Sequence, residues 1–361
     1  MDKSGAIKGR GARSNATSRF LPGKREAFDD GWAPEAEEDD LPRVDTQLMP
    51  DRARRILTRN DSPDIGFDRS INTYKGCEHG CVYCYARPAH AYLGLSPGQD
   101  FETKIFYKPE AVRLLEEELS KPGYRCKRVH IGGDTDPYQP AERTLKLTRG
   151  VLEVLDRFNH PFSIITKSHL ITRDIDIIAP MAERKLASAA VSITTLDPKL
   201  ARDMEPRAAT PRRRLDAIRR LSDAGVPVMV GFAPVIPGLN DHELEQVLEA
   251  AAEAGARSAM FVTLRLPLEI SPLFREWLAE VRPDRASRVM SLVRQSRGGR
   301  DYDPEWGSRM KGTGPFADLI AQRFAAACRR LGLNEHRTEV DSTAFRRPPR
   351  SGDQLGLFDA A

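Results

Sequence analysis

No run of 18 or more apolar residues occurs in this 361-residue sequence, and its opening, MDKSGAIKGRGARSNATSRF, lacks the apolar stretch of a secretion signal. Neither a membrane span nor export is expected, and the sequence predicts a soluble, cytoplasmic protein. Cysteine is scarce: five residues, an odd number in a long chain, do not suggest a disulfide framework. Charge of one sign is nearly absent as an excess. Fifty-six basic against 52 acidic side chains leave +4, which permits a polyanionic partner without demanding one. There is no helix-turn-helix or aromatic-basic signature from which sequence-specific nucleic-acid binding would follow. What is present is a composition 40% hydrophobic and 30% charged, which can bury a sizeable core and excludes disorder throughout.

Charge is segregated at the start of the chain. Residues 1–25 carry seven Lys/Arg against one acid, and residues 26–51 carry ten acids against one Arg. Opposite-sign blocks with few apolar residues read as a flexible arm over 1–55. The polar, Pro-bearing stretch 332–361 reads as a second disordered tail. Between them, residues 56–331 alternate short β-branched runs with longer helical patterns, as parallel βαβ units do. Strands are expected at 70–74, 128–132, 162–167, 189–194, 226–231 and 259–264. Helical periodicity follows them, for instance over 141–158, where Leu145, Val151, Leu152, Leu155 and Phe158 share a face. The fold class is therefore α/β, with parallel strands closing into a full or partial barrel or opening into a doubly wound sheet. In either form ligands meet the loops at the strands' C-terminal ends.

The first predicted strand runs into Gly76-Cys77-Glu78-His79-Gly80-Cys81-Val82-Tyr83-Cys84-Tyr85, a C-x3-C-x2-C loop. Three soft thiolates converge there. A structural zinc site is closed by four ligands, and the donors in view for the fourth place are His79, Cys126 and Cys328; no C-x2-C or H-x3-H pair follows downstream. An iron–sulfur cube held by only three protein ligands keeps one iron open to a small molecule. A noncatalytic zinc-stabilised binding module and a cluster enzyme are the two readings of this loop.

The spacing, with Tyr83 just before the third cysteine, resembles the cluster motif of the radical S-adenosylmethionine (SAM) enzymes. The resemblance implies a partial (β/α)6 TIM-like barrel and a [4Fe-4S] cluster on Cys77, Cys81 and Cys84. The amino and carboxylate groups of SAM would chelate the fourth iron, and reductive cleavage would give methionine and a 5′-deoxyadenosyl radical, with an electron donor such as flavodoxin or ferredoxin. Further segments extend it. Gly132-Gly133-Asp134 resembles the segment that holds the SAM amino group; Lys167 and Ser192 fall where a cation and a hydroxyl contact SAM. The run through Ile236 looks like the part that cups the adenine, and Tyr83 belongs to the same cofactor set.

The resemblance covers residues 56–331 and is nearest to the spore photoproduct lyase-like, or DNA repair photolyase-like, branch, through CEHGCVYCYARPAH, TDPYQP, EPRAATPRRRL and PVIPGLND. It implies radical chemistry on DNA in repair; RNA, peptide or small-molecule substrates are the alternatives. In the lyase a cysteine at the end of the second strand returns a hydrogen atom, whereas this chain has Gly133 there and Cys126 ahead of the strand. Cys126 and Cys328 are read as structural. Tyr85 is the candidate radical relay, and Asp136 and Tyr138 are candidate catalytic residues. Gln139, Asp197 and Arg265 join them as candidates around the substrate mouth. In the tail, Gln354, Leu355, Leu357 and Phe358 resemble the bacterial sliding-clamp-binding motif, which would bring the protein to replicating or repaired DNA.

Overall fold

The computed structural model of the chain describes residues 7–23, 43–336 and 340–348. Ten strands are present among them: β1 (Gln47–Pro50), β2 (Leu57–Arg59), β3 (Arg69–Ile71), β4 (Tyr74–Lys75), β5 (Lys104–Tyr107), β6 (Val129–Ile131), β7 (Phe162–Thr166), β8 (Ala187–Ser192), β9 (Val228–Val235) and β10 (Ser258–Thr263). Seven form one sheet in the order β10-β9-β8-β7-β6-β3-β2. Its six strands from β3 to β10 are mutually parallel, and β2 adds antiparallel to β3. Helices connect the parallel strands, giving six β/α repeats in a sheet whose ends are β10 and β2, a partial barrel. A small sheet, β1-β5-β4, stands beside it.

Register explains which face becomes core. Ile71, Ile131, Ile164 and Ala189 lie in one cross-strand row and are buried in the main apolar cluster with the helices. The alternate row reads Ser70, His130, Ser163 and Ser188. A strand shows its residues to the two faces in turn, so the inner face carries small and polar groups that leave room for a ligand. The helix Leu147–Arg157 supplies the outer packing with Leu147, Val151, Leu152, Val154 and Leu155 buried. Each such side chain contributes about 1.5–3 kcal/mol through burial.

The open edge is bridged. Thr263 at the end of β10 donates its backbone N–H to the Met310 carbonyl (2.9 Å), while Gly307 N–H (2.7 Å) and the Arg309 guanidinium both reach Asp64, in the loop after β2.

All six predicted parallel strands are present, with shifted ends. The first breaks in two: after Ile71 the chain leaves the large sheet, and Tyr74–Lys75 pairs with β5 instead. At the break, the Asn72 side chain exchanges hydrogen bonds with Asp134 and the Asn72 carbonyl accepts from Lys108 Nζ (2.7 Å). A β-branched run does not reveal a change of pairing partner. The strand read from 226 begins at Val228 and extends to Val235.

The described portions of both tails lie on the body. Glu102 accepts the backbone N–H groups of Gly11 (2.9 Å) and Ala12 (2.8 Å), and a Cβ on Gly11 would sit 1.9 Å from the Gly80 carbonyl oxygen. At the other end Phe345 packs against Tyr124, Phe158 and His160, and Arg347 donates to the Lys121 carbonyl (2.8 Å). These contacts run through backbone groups and single anchors, which charge composition does not register. The motif at Gln354–Phe358 lies outside the described residues.

Candidate active site

The cysteine loop leaves β4 and is fastened from several sides. Cys77 N–H donates to the Phe101 carbonyl (3.0 Å) and Val82 N–H to that of Met204 (3.1 Å). The Gly76 carbonyl accepts from Thr135 Oγ1 (2.8 Å) and Gln139 Nε2 (3.2 Å), while Gln139 Oε1 accepts Glu78 N–H (2.9 Å). Arg87 Nε donates to the Cys81 carbonyl (2.9 Å), and its guanidinium is ion-paired to Glu102 at 2.5 Å with both side chains wholly buried. Fully buried pairs are strongly held only when their remaining polar groups are also satisfied, as they are here by the Pro97 and Gly98 carbonyls.

Cys77 and Cys81 are buried and Cys84 is partly so. Burial raises all three thiols; on Cys77 the Asp136 carboxylate and the other two sulfurs add to it. The Lys167 ammonium acts the other way on Cys81 and Cys84, and it lies 5.8 Å from the centre of the Tyr83 ring. Lys167, Tyr83 and the sulfurs therefore share one space. Among the described residues no three His, Cys, Asp or Glu groups converge closely enough to hold a single metal ion. That arrangement does not suit tetrahedral zinc, which needs four donors on one centre. His79 Nδ1 is turned to Asp136 (3.3 Å), Cys126 precedes β6 at the end away from the loop, and Cys328 lies in the helix Pro315–Leu331, in the main core. None of the three is a fourth ligand. Three soft donors, two of them near the Lys167 ammonium, suit a cluster whose remaining corner takes an outside chelator.

Residues 71–251 match the Radical SAM superfamily. The chain belongs to that superfamily. It is therefore a radical SAM enzyme, with a [4Fe-4S] cluster and S-adenosylmethionine as cofactors and an electron donor as a necessary partner. An uncharacterised protein of Mycobacterium tuberculosis is 39% identical over 233 residues, 64% of this chain and 68% of that one. Another, from Methanocaldococcus jannaschii, is 30% identical over 175 residues, 48% and 62% of the two chains. A solved spore photoproduct lyase complexed with dinucleoside spore photoproduct has a TM-score of 0.47 at 16% identity, covering 84% of each chain. SuiB of Streptococcus suis bound to S-adenosylmethionine scores 0.33 at 15% identity, over 45% and 37%. Among the described residues no helix is long and apolar enough to cross a membrane.

Around this radical SAM centre the sequence-predicted residues divide. Gly132 takes φ +97°, and a Cβ there would meet the Ile165 carbonyl at 2.7 Å, so only glycine lets the strand end turn this tightly. Gly133 offers its carbonyl to the Tyr85 hydroxyl, and Asp134 sits beside Cys84 and Tyr85. Ser192 stands beside Gly231 on the inner face, its hydroxyl 3.5 Å from where a Gly231 Cβ would lie. Tyr85, 49% exposed, carries the Arg265 guanidinium 5.4 Å above its ring. Gly132, Gly133, Asp134, Lys167, Ser192, Tyr85 and Arg265 are thus brought to one end of the barrel with the cysteines.

Other candidates are engaged in contacts within the protein. Asp136 faces the loop, where it accepts from Thr166 Oγ1 (2.6 Å), Lys167 N–H (2.7 Å) and Tyr138 N–H (2.9 Å) and pairs with His79. Burial alone would raise its carboxyl; His79 and these donors overcome that and hold it at about 2. These bonds tie the cysteine loop to the end of β7. Tyr138 is buried against the main core and also lines a cavity beside the cysteine loop. Gln139 clamps the loop and Asp197 caps the helix Pro198–Met204 through Lys199 N–H. Ile236 packs its side chain in a second apolar cluster with Cys81, Val82, Tyr83, Phe274 and Trp277. The Tyr83 hydroxyl donates to Glu205 and lies 3.2 Å from Thr194 Oγ1.

The Glu205–Arg214 pair is the part that sequence reasoning missed. Its side chains are 0% and 2% exposed, and Arg214 also donates to the Ser192 (3.1 Å) and Ala209 (2.7 Å) carbonyls. Burial would raise the Glu205 carboxyl; Arg214 and Lys167 hold it at about 2. Both residues belong to the segment EPRAATPRRRL. Helical period with Ile218 and Leu221 would have singled out Arg214 as the inward one. For Glu102 the sequence carries no signal.

Proposed function

We propose that Cys77, Cys81 and Cys84 hold the cluster and that the enzyme directs its radical at a DNA strand entering the open end of the barrel. When bound, the cluster and SAM supply the reductive cleavage that yields methionine and a 5′-deoxyadenosyl radical. The chain's own residues do the rest. Lys167 offers its ammonium to a carboxylate over the sulfurs, and the Gly132–Gly133 turn brings bare backbone to the same place. Ser192 and Gly231 keep the inner wall low enough for a nucleoside-sized group.

Arg265 carries the substrate reading. Its Nε is buried with no hydrogen-bond partner, and its other nitrogens make only long contacts, 3.4 Å to Met310 Sδ and 3.5 Å to the Tyr302 hydroxyl. A guanidinium left without a carboxylate beside the exposed Tyr85 ring supports an anionic, ring-bearing ligand, because Arg pairs with phosphate and aromatic faces stack on bases. The tail residues Gln354, Leu355, Leu357 and Phe358 would bring this activity to the sliding clamp. The test is to supply reconstituted enzyme with reductant, SAM and uniformly deuterated DNA, RNA or protein extract, and to read deuterium in 5′-deoxyadenosine. Transfer from DNA is expected; transfer from RNA or protein alone would overturn the substrate assignment.

A further inference from the structure

A cavity of about 240 Å3 lies against the cysteine loop, lined among others by His79, Arg143, His169, Arg207, Thr210 and Arg213. None of the three cysteines, nor Lys167, Ser192 or Arg265, lines it. It is therefore separate from the radical centre, and its chemistry is cationic. Arg207 is partly engaged by Glu78, 3.3 Å away. Arg143 and Arg213 are exposed and have no side-chain partner among the described residues. The two imidazoles are fixed on the wall, His79 against Asp136 (3.3 Å) and His169 against Asp216 (2.7 Å), and Asp216 is also paired with Arg220 (2.9 Å).

The fourth side is a helix start. Thr210 is the N-cap of the 13-residue helix Pro211–Asp223, and its side chain makes no capping hydrogen bond. The N–H groups of the first turn keep no side-chain acceptor, and the partial positive charge of the helix end adds to the guanidiniums. The backbone ties this corner to the loop: Arg207 N–H donates to the His79 carbonyl (3.3 Å) and Ala209 N–H to that of Lys167 (3.3 Å).

We propose that this cavity binds a phosphate group. Guanidiniums from three separate places, together with a helix N-terminus, surround an anion on more sides than a planar carboxylate presents, and match the tetrahedral oxygens of phosphate. The volume is below the roughly 300 Å3 at which whole small-molecule sites begin, so the cavity takes one group of a ligand and not a complete cofactor. That group can come from a free polyphosphate or from a nucleic-acid backbone, and the experiment separates the two.

Full-length R143Q, R213Q and R143Q/R213Q are compared with the parent protein for binding of inorganic tripolyphosphate, by calorimetry, and of a fluorescein-labelled single-stranded 12-nucleotide DNA, by anisotropy across a salt series. R212Q removes the same charge one position away, outside the cavity lining, and is the control. Each cavity substitution is expected to weaken binding about tenfold, and losing one phosphate contact should lower the salt slope for the oligonucleotide by about 0.7. An effect on both probes marks the cavity as a general phosphate site; an effect on the oligonucleotide alone assigns it to the backbone. Both targets are exposed and unpaired, so thermal melts should match the parent. Parent-like affinity of the double variant for both probes, an equal loss in R212Q, or no binding of either probe to the parent would overturn the proposal. None of these readouts requires radical chemistry, so they are independent of the substrate assigned above.

Discussion

Replacing Glu205 by Gln should destabilise the protein by roughly 3 kcal/mol at neutral pH. Glu205 is wholly buried and its carboxyl is held at about 2 against an ordinary 4.5, which at about 1.4 kcal/mol per pH unit corresponds to that figure. An independent route agrees: removing one partner of a buried pair leaves the other charge unpaired and costs about 3–5 kcal/mol. The sign of the pH dependence follows. Because the folded-state value is depressed, the contribution is complete above about 4.5 and is lost as pH falls towards about 2. The gap between parent and E205Q should therefore be largest at pH 7 and shrink progressively below pH 4.5. Urea denaturation of both proteins at pH 7, 4.5 and 3.5 measures this, with R214M and E205Q/R214M completing a double-mutant cycle. The double variant should be less damaged than the sum of the singles, since it leaves no uncompensated charge. A cost for E205Q below about 1 kcal/mol, or additive singles, would refute the claim that Glu205 and Arg214 form a strongly coupled buried pair.

Each of C77A, C81A and C84A should lose the brown iron–sulfur absorption of the anaerobically reconstituted protein, whereas C126A and C328A should keep it; a parent protein that is colourless and carries zinc would contradict the cluster assignment. A synthetic peptide of residues 350–361 should bind purified bacterial sliding clamp, and substituting Gln354 and Phe358 by Ala should abolish it. No measurable affinity of the unsubstituted peptide would end that part of the reading.

How much was legible depended on whether a feature was local. The six parallel strands and the C-x3-C-x2-C loop were readable because a β-branched run and a ligand spacing are properties of neighbours in sequence. Gly132, Lys167 and Ser192 were singled out through the family resemblance, and their place at strand ends puts them on one rim. Asp136 and Tyr138 also follow a strand, but one turn beyond the sheet the chain can face either the barrel or the helices, and sequence period does not say which contacts they make. Asp136 proved to hold His79 and Lys167, and Tyr138 to pack in the core.

From the order of residues alone came the βα repeat and the thiolate trio, since each is set by composition and spacing within a few dozen positions. Only tertiary structure decided what surrounds that trio: Glu102 clasping Arg87 and the N-terminal segment, Glu205 meeting Arg214 and Tyr83, and Arg143 and Arg213 lining one cavity. Those contacts join segments up to about ninety residues apart, and a buried charge finds its partner through the geometry of the closed fold, which no local pattern encodes.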